Sequence, residues 1–318
     1  MEAGAQDDET KAAAAGAATP DGGSAGTVAS RSAYTPLFLA QHEDRYLRRD
    51  LIKDYQQRHG CNLAVLIDQI TQDSITLFAE LLYGLDRAQD LHLLLASPGG
   101  DGGAAVRLAR MAQAACRELV VIVPEMAKSA ATILALGAHT IVMGPTSDLG
   151  PIDPQILVSD RGFFSAKDLI EAVNSALDDV ATRPDTYPLH AAMLAGIDST
   201  AVQFARSALA STDELAEQAI SSNPDRTPQD IEELCAMVRR PLIDQPKTHS
   251  AVIGSSEARQ AGLPVRKLEA DDEWWQEIWQ LWTRYYALGP IHLLSAYEGA
   301  KASQVRVLHS VGNHGAAV

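Results

Sequence analysis

The sequence predicts an α/β fold with a parallel sheet, and three observations carry that reading. The run L-H-L-L-L-A at 91–96 is continuously apolar, the mark of a strand buried on both faces. Strand-like and helix-like segments alternate through 62–143, which implies parallel strands joined by right-handed crossovers. Hydrophobic residues make up 46% of the 318, ample for a sizeable core.

In chain order, residues 1–33 are Ala, Gly, Ser, Thr, Asp and Glu with almost no large apolar side chain. They bury too little to offset ordering entropy and are expected to be a disordered tail. Order begins near Tyr34, and 40–59 reads as a charged helix. Strands are then predicted at 62–68, 91–96, 119–124 and 140–143. Helices are predicted at 74–85, 104–116 and 129–137. From 165 to 240 the pattern turns helical (166–180, 199–221, 228–239), and Thr227 before Pro228 is a plausible N-cap. A short helix at 255–261 ends at Gly262. The domain reading is a tail (1–33), one α/β domain (34–268) with a helical arm (165–240), and an aromatic C-terminal helical appendage (269–318).

The formal charge of −15 argues against nucleic-acid binding, which calls for a basic face. Cys61, Cys116 and Cys235 are odd in number and form no CxxC pair. They read as small buried hydrophobes in a reducing compartment. The acidic N-terminus is unlike a secretory signal, and no run reaches the ~18–20 apolar residues of a membrane span. A cytoplasmic protein without a membrane partner is expected. No metal-ligand constellation or nucleotide phosphate loop is visible, so no cofactor is expected, and an unfolding motor or adaptor would be a separate protein.

Two successive strand-to-helix junctions carry the chemistry. The first is the glycine-rich turn Ser97-Pro98-Gly99-Gly100. The second is Ala127-Lys128-Ser129-Ala130-Ala131-Thr132, followed by Leu149-Gly150-Pro151-Ile152-Asp153-Pro154-Gln155. A serine where a helix begins, beside a turn able to present bare amides, is the minimum equipment for acyl transfer. The innocent reading of Ser129 is an N-cap, and that of the glycines a tight turn.

These motifs, in this order, resemble the serine dehydrogenase proteinase family, a branch of the Clp protease and signal peptide peptidase superfamily. The motifs span 91–155, and weaker similarity runs over about 62–265. The resemblance implies a crotonase-like, Clp-type parallel sheet with spiral strand-strand-helix units, and a serine peptidase acting on peptides or unfolded protein. It also implies a homo-oligomer and, in many members, an N-terminal membrane anchor that is not visible here.

By the same resemblance Ser129 is the nucleophile, Gly100 and Ala130 supply the oxyanion-hole amides, and Gly99 supports the turn. Clp proteases have a histidine where this chain has Asp153. A carboxylate, with a pKa near ~4, is a poor base for a serine hydroxyl. The family's use of Ser, Asp and His in an altered order points to Asp153 with His249, in Lys247-Thr248-His249-Ser250. His249 as a mere loop histidine stays open. So does a serine–lysine dyad using Lys128 or Lys247, although Lys128 is poorly placed, since adjacent helical side chains diverge. Two readings from other classes also remain: a crotonase-type acyl-CoA enzyme and a non-catalytic oligomeric scaffold. All four tryptophans lie in 274–282, where Trp275, Trp279, Trp282 and Tyr286 recur at helical spacing. That stripe docks on the core or a neighbouring subunit, or forms a peptide-binding surface.

Overall fold

A seven-stranded, mostly parallel sheet forms the centre of the computed structural model, with strand order β11-β10-β1-β2-β3-β5-β9. Residues 34–157, 162–245 and 251–307 are described, so the tail expected over 1–33, and Lys247 and His249, lie outside them. The chain divides into two units, Met1–Glu43 and Asp44–Val318. Helix α1 (Pro36–His59) begins in the first, where Phe38 stacks on His42, and everything below concerns the second.

The elements follow the expected alternation: β1 (Asn62–Ile67), α2 (Asp73–Leu82), β2 (Leu91–Ala96), α3 (Gly102–Ala114), β3 (Leu119–Val123), then the two-residue β4 (Met126–Ala127), α4 (Ala130–Leu136) and β5 (Thr140–Met143). Next come β6 (Asp148–Leu149), β7 (Gln155–Leu157) and β8 (Phe163–Ser165). The helical arm holds α5 (Ala166–Thr182), α6 (Tyr187–Met193), α7 (Ser199–Ile220) and α8 (Pro228–Arg239). The chain closes with α9 (Ser255–Gln260), β9 (Val265–Lys267), α10 (Glu273–Tyr286), β10 (Leu294–Gly299) and β11 (Ser303–Val307). Thr227 caps α8 as expected, in a reciprocal capping box with Asp230.

Strands β1, β2, β3, β5 and β9 are parallel, and β10 and β11 add antiparallel to the β1 edge. Alternate residues divide the core into two layers. Ala64, Leu66, Leu93, Leu95, Val121 and Val123 face helices α3, α4 and α7. Leu63, Val65, Ile67, Leu94, Val120 and Ile122 face α10 and the second half of α1.

The C-terminal segment differs from a purely helical appendage. After α10 it supplies β10 and β11 to the central sheet, and a buried ion pair ties it in. Arg48 Nε donates to Glu298 Oε2 at 2.7 Å, and the Tyr285 hydroxyl donates to the same oxygen at 2.6 Å. Trp275 and Trp282 are buried against the sheet, whereas Trp279 and Tyr286 are exposed, so half of the aromatic stripe docks on the core. Short antiparallel strands of mixed polarity such as β11 (S-Q-V-R-V) carry no signal strong enough to override that helical pattern. Cys61 is buried and the other two cysteines half-buried, all as free thiols. Among the described residues no helix is long and apolar enough to cross a membrane.

Candidate active site

The site lies at the C-terminal ends of β2 and of the β3–β4 segment, where α/β sheets present their loops to ligands. Two turns meet there. An isolated parallel bridge joins Ser97 to Ala127: Ser97 N donates to Met126 O at 2.9 Å, and Lys128 N donates to Ser97 O at 3.0 Å. The Ser97 hydroxyl accepts from Gly99 N at 3.1 Å and fixes the start of the turn. On the other side Ile70 N donates to Gly99 O and Asp101 N donates to Ile70 O, both at 2.8 Å. The glycine turn is thus held from both flanks.

The glycines are required by space as well as by conformation. Gly99 and Gly100 have φ of 111° and 137°. A Cβ on Gly99 would stand 2.9 Å from both Lys128 O and Ser129 Cβ, and one on Gly100 would stand 2.0 Å from Ile70 O. No other residue type fits either position without moving the backbone.

Ser129 has φ 49° and ψ −112°, and among the described residues no other non-glycine has positive φ. Such a conformation costs of order 1–3 kcal/mol and persists only where the surroundings enforce it. Ser129 stands at the N-cap position of α4, yet its side chain makes no capping bond. Its hydroxyl is left to the cleft. Among the described residues neither Gly100 N–H nor Ala130 N–H has a hydrogen-bond partner, although both neighbouring amides, Asp101 N and Ala131 N, are bonded.

Thr132, which sequence reasoning passed over, joins the parts. Its buried hydroxyl lies 2.8 Å from both Ala127 O and Gly150 O and accepts from Gly150 N at 3.3 Å. It links the first turn of α4 to the chain that runs from Gly150 to Asp153.

Ser129 and Asp153 line one cleft of about 560 Å³, together with Pro98, Gly99, Gly100 and Pro154. Helix α7 lines one side of it with Phe204 and Ala208. No signal in the sequence marked these two, because an arm helix meets the cleft only through tertiary packing. Asp153 Oδ1 accepts from the Ser165 hydroxyl at 2.9 Å.

Lys128, Lys167, His139 and His92 are engaged elsewhere. Lys128 Nζ pairs with Asp148 Oδ2 at 2.5 Å, and the Lys167 ammonium donates to Asp244 O. His139 accepts from Leu119 N at 3.0 Å and faces Asp225, as a packed histidine would. His92 is buried on β2 beneath α10, bonded to the Tyr55 hydroxyl at 2.7 Å. No described histidine lines the cleft. The chain entering at Ala251 runs beside the site: its carbonyl accepts from Lys128 Nζ at 3.3 Å, and Ile253 pairs with Leu149.

Known proteins bear on this geometry. Residues 73–182 match the family model of the ClpP-like SDH-type serine proteinases, and the match includes the glycine turn, Ser129 and Asp153. An uncharacterized protein of Methanocaldococcus jannaschii is 28% identical over 150 residues, 42% of this chain and 50% of that protein. The chain therefore spans about half the length of that curated relative. Among solved structures, a serine-to-alanine mutant of the 1510-N membrane-bound stomatin-specific protease is 18% identical, with a TM-score of 0.40, over 69% of this chain and 82% of that one. So loose a superposition adds nothing to the family match.

Proposed function

We propose that the chain is a serine peptidase that cleaves peptides or unfolded polypeptide through an acyl-enzyme on Ser129. The observation that carries this reading is a pair of amides without a partner among the described residues, Gly100 N–H and Ala130 N–H, near a serine held at positive φ. Two preorganised donors beside a nucleophile are what a tetrahedral oxyanion requires, and they need no rearrangement when the charge develops. The family match over 73–182 supports the same reading.

In this mechanism the Ser129 hydroxyl attacks the scissile carbonyl, and the oxygen of the tetrahedral intermediate is held by Gly100 N–H and Ala130 N–H. The mostly parallel sheet, with loops at its strand ends, suits that geometry. His249 takes the serine proton and returns it to the leaving amine, while Asp153 orients the imidazole. Asp153 in the Ser129 cleft supports its part. For His249 the support is its position two residues before Ala251, whose carbonyl lies against Lys128. The ion pair of Lys128 with Asp148 counts against Lys128 as the base, because a charged ammonium engaged with a carboxylate has no lone pair to offer.

Labelling with a fluorophosphonate and hydrolysis of an unfolded protein test the proposal. Wild-type protein labels on Ser129, and Ser129→Ala abolishes labelling and turnover while remaining folded by circular dichroism. His249→Ala loses nearly as much, because triad members act as a unit, and Asp153→Asn loses somewhat less. Undiminished turnover by Ser129→Ala would eliminate the serine mechanism. Absent labelling of the wild type would move the reading to a crotonase-type acyl-CoA enzyme or a scaffold.

A further inference from the structure

Beneath Ser129 three short chain segments lie side by side with little backbone pairing to hold them. Strand β4 pairs with β6 over only two residues, Met126 with Asp148 and Ala127 with Leu149. On the far side of β6, Leu149 meets Ile253 in one antiparallel bridge, with N–H···O bonds of 2.9 and 3.0 Å. A ladder this narrow is weak, since sheets draw their stability from many adjacent pairs. Yet it sets where the nucleophile sits, because β4 leads directly into Lys128 and Ser129, and β6 leads through Gly150 to Asp153.

One side chain spans all three segments. Lys128 Nζ lies 2.5 Å from Asp148 Oδ2, 3.3 Å from Ala251 O and 3.5 Å from Leu149 O. Three acceptors surround a group with three N–H bonds, so the ammonium is fully engaged when charged. Its stem is fixed too: it lies flat on Gly150, where a Cβ would stand 2.4 Å from Lys128 Cδ. Both ends of the ion pair are largely buried, with side-chain exposures of 14% and 18%, so water screens the pair weakly. Glu125, whose carbonyl accepts from Asp148 N at 2.7 Å, adds a second carboxylate nearby. Burial and then the Asp148 charge push its carboxyl above the usual range. The Asp148 carboxylate thus faces the ammonium of Lys128 and lies near the carboxyl of Glu125.

We infer that Lys128 is a positioning residue: its ammonium clamps β4, β6 and the 251–253 segment together and so sets the separation of Ser129 from Asp153. It does not take the proton. This rests on the serine peptidase reading, in which that separation matters. It assigns the lysine of the Lys128-Ser129 pair a structural charge where adjacency to the nucleophile suggested a base.

The test compares Lys128→Met, which keeps the stem and removes the charge, with Lys128→Arg. Hydrogen exchange at the Leu149 and Ile253 amides is read alongside steady-state hydrolysis of an unfolded protein. Lys128→Met exchanges these two amides at least about tenfold faster than wild type, a local opening that leaves the core strands protected. Its kcat falls about 10–100-fold, the effect of misplacing reacting groups by a fraction of an ångström, with KM within about twofold. The midpoint of the rising limb of its pH–kcat profile stays where it is in wild type, and Lys128→Arg recovers most of both protection and rate. Should Lys128→Met fail to fold, Asp148→Asn removes the counter-charge instead and gives the same pattern at smaller size. Unchanged exchange at Leu149 and Ile253 overturns the clamp. Unchanged exchange together with a turnover as low as that of Ser129→Ala would make Lys128 the base. If the wild-type protein neither labels nor hydrolyses, the peptidase reading fails, while the exchange measurement still decides whether Lys128 holds the three segments.

Discussion

The two faces of the central sheet are closed by different means. On the face toward α3 and α4 the covering residues include many alanines set among larger side chains such as Leu108, Ile133 and Leu134: Ala104, Ala105, Ala109, Ala112, Ala130, Ala131 and Ala135 are all buried there. On the face toward α10 they are large: Tyr55, Trp275, Trp282 and Tyr285. The small-residue face lets backbone approach backbone, and that is where the glycine turn meets the start of α4. The aromatic face is filled with ring area and a few buried polar groups. One face is built to position amides, the other to supply stability. Substitutions should therefore separate cleanly into those that remove activity and those that remove stability.

The largest stability effect is expected on the aromatic face, at the ion pair between α1 and β10. Arg48 and Glu298 side chains are 4% and 3% exposed, and the Arg48 guanidinium also lies 5.3 Å from the centre of the Tyr285 ring. Arg48→Met leaves a buried carboxylate with its cationic partner gone, a loss of about 3–5 kcal/mol. Urea unfolding should show it as a lower midpoint, while kcat/KM of the folded fraction stays within about twofold of wild type. A variant that kept its stability and lost its activity would break the division between the faces.

The counterpart on the small-residue face is Gly100→Ala. The new methyl meets Ile70 O, so the turn must rotate and the Gly100 amide leaves its place. Loss of one oxyanion donor lowers kcat by about 10²–10³-fold. The unfolding midpoint should move far less than for Arg48→Met, because the turn is partly exposed and can relax toward solvent. A large loss of stability with normal kcat would show that the turn is structural and that its amide faces nothing reactive.

What the sequence disclosed follows the same division. Strands β1, β2, β3 and β5 were legible because each is a run of apolar residues bounded by turn formers, and the site was legible where backbone makes it. Glycine at 99 and 100 is dictated by φ and by contact distance, so its identity carries the geometry openly, whereas serine at 129 stands at a φ that disfavours it and was legible only from the motif around it. The cleft wall of Phe204 and Ala208 was hidden, since nothing local distinguishes them from other arm residues. Strands β4 and β6, two residues each, are too short for any periodicity, so the ladder that Lys128 spans left no trace. Lys128 itself was read through its neighbour in sequence, when its partners Asp148 and Ala251 are neighbours only in space. The Trp-rich helix was placed correctly, yet the strands behind it and the Glu298 carboxylate they bury gave no sign.

The smallest effect sharpens the comparison by using pH on the aromatic face alone. His92 is 7% exposed on β2, facing Tyr55, His59 and Trp274, with Asp90 nearby. Trp274 Nε1 donates to the Tyr55 hydroxyl at 2.7 Å, which directs the phenol's own proton to His92 Nδ1 at 2.7 Å. That bond is made to the neutral ring. Burial, and then the neighbouring His59, lower the His92 pKa from 6.5 to about 4. The unfolded chain binds this proton more readily than the folded one between those values, so stability is complete above pH 6.5 and declines as pH falls toward 4. A shift of that size corresponds to about 3 kcal/mol, less whatever the chain gains by local opening. Burial raises the carboxyls of Asp68 and Glu125, which contributes with the opposite sign, so wild type alone does not isolate the His92 contribution. His92→Gln keeps an acceptor for Tyr55 and cannot be protonated. Its unfolding free energy should fall less steeply from pH 6.5 to 4 than that of wild type, with turnover at pH 7 unchanged. Parallel curves for the two proteins would mean that the ring takes up its proton in the fold as readily as in the unfolded chain, and that the aromatic face tolerates a cation its packing should exclude.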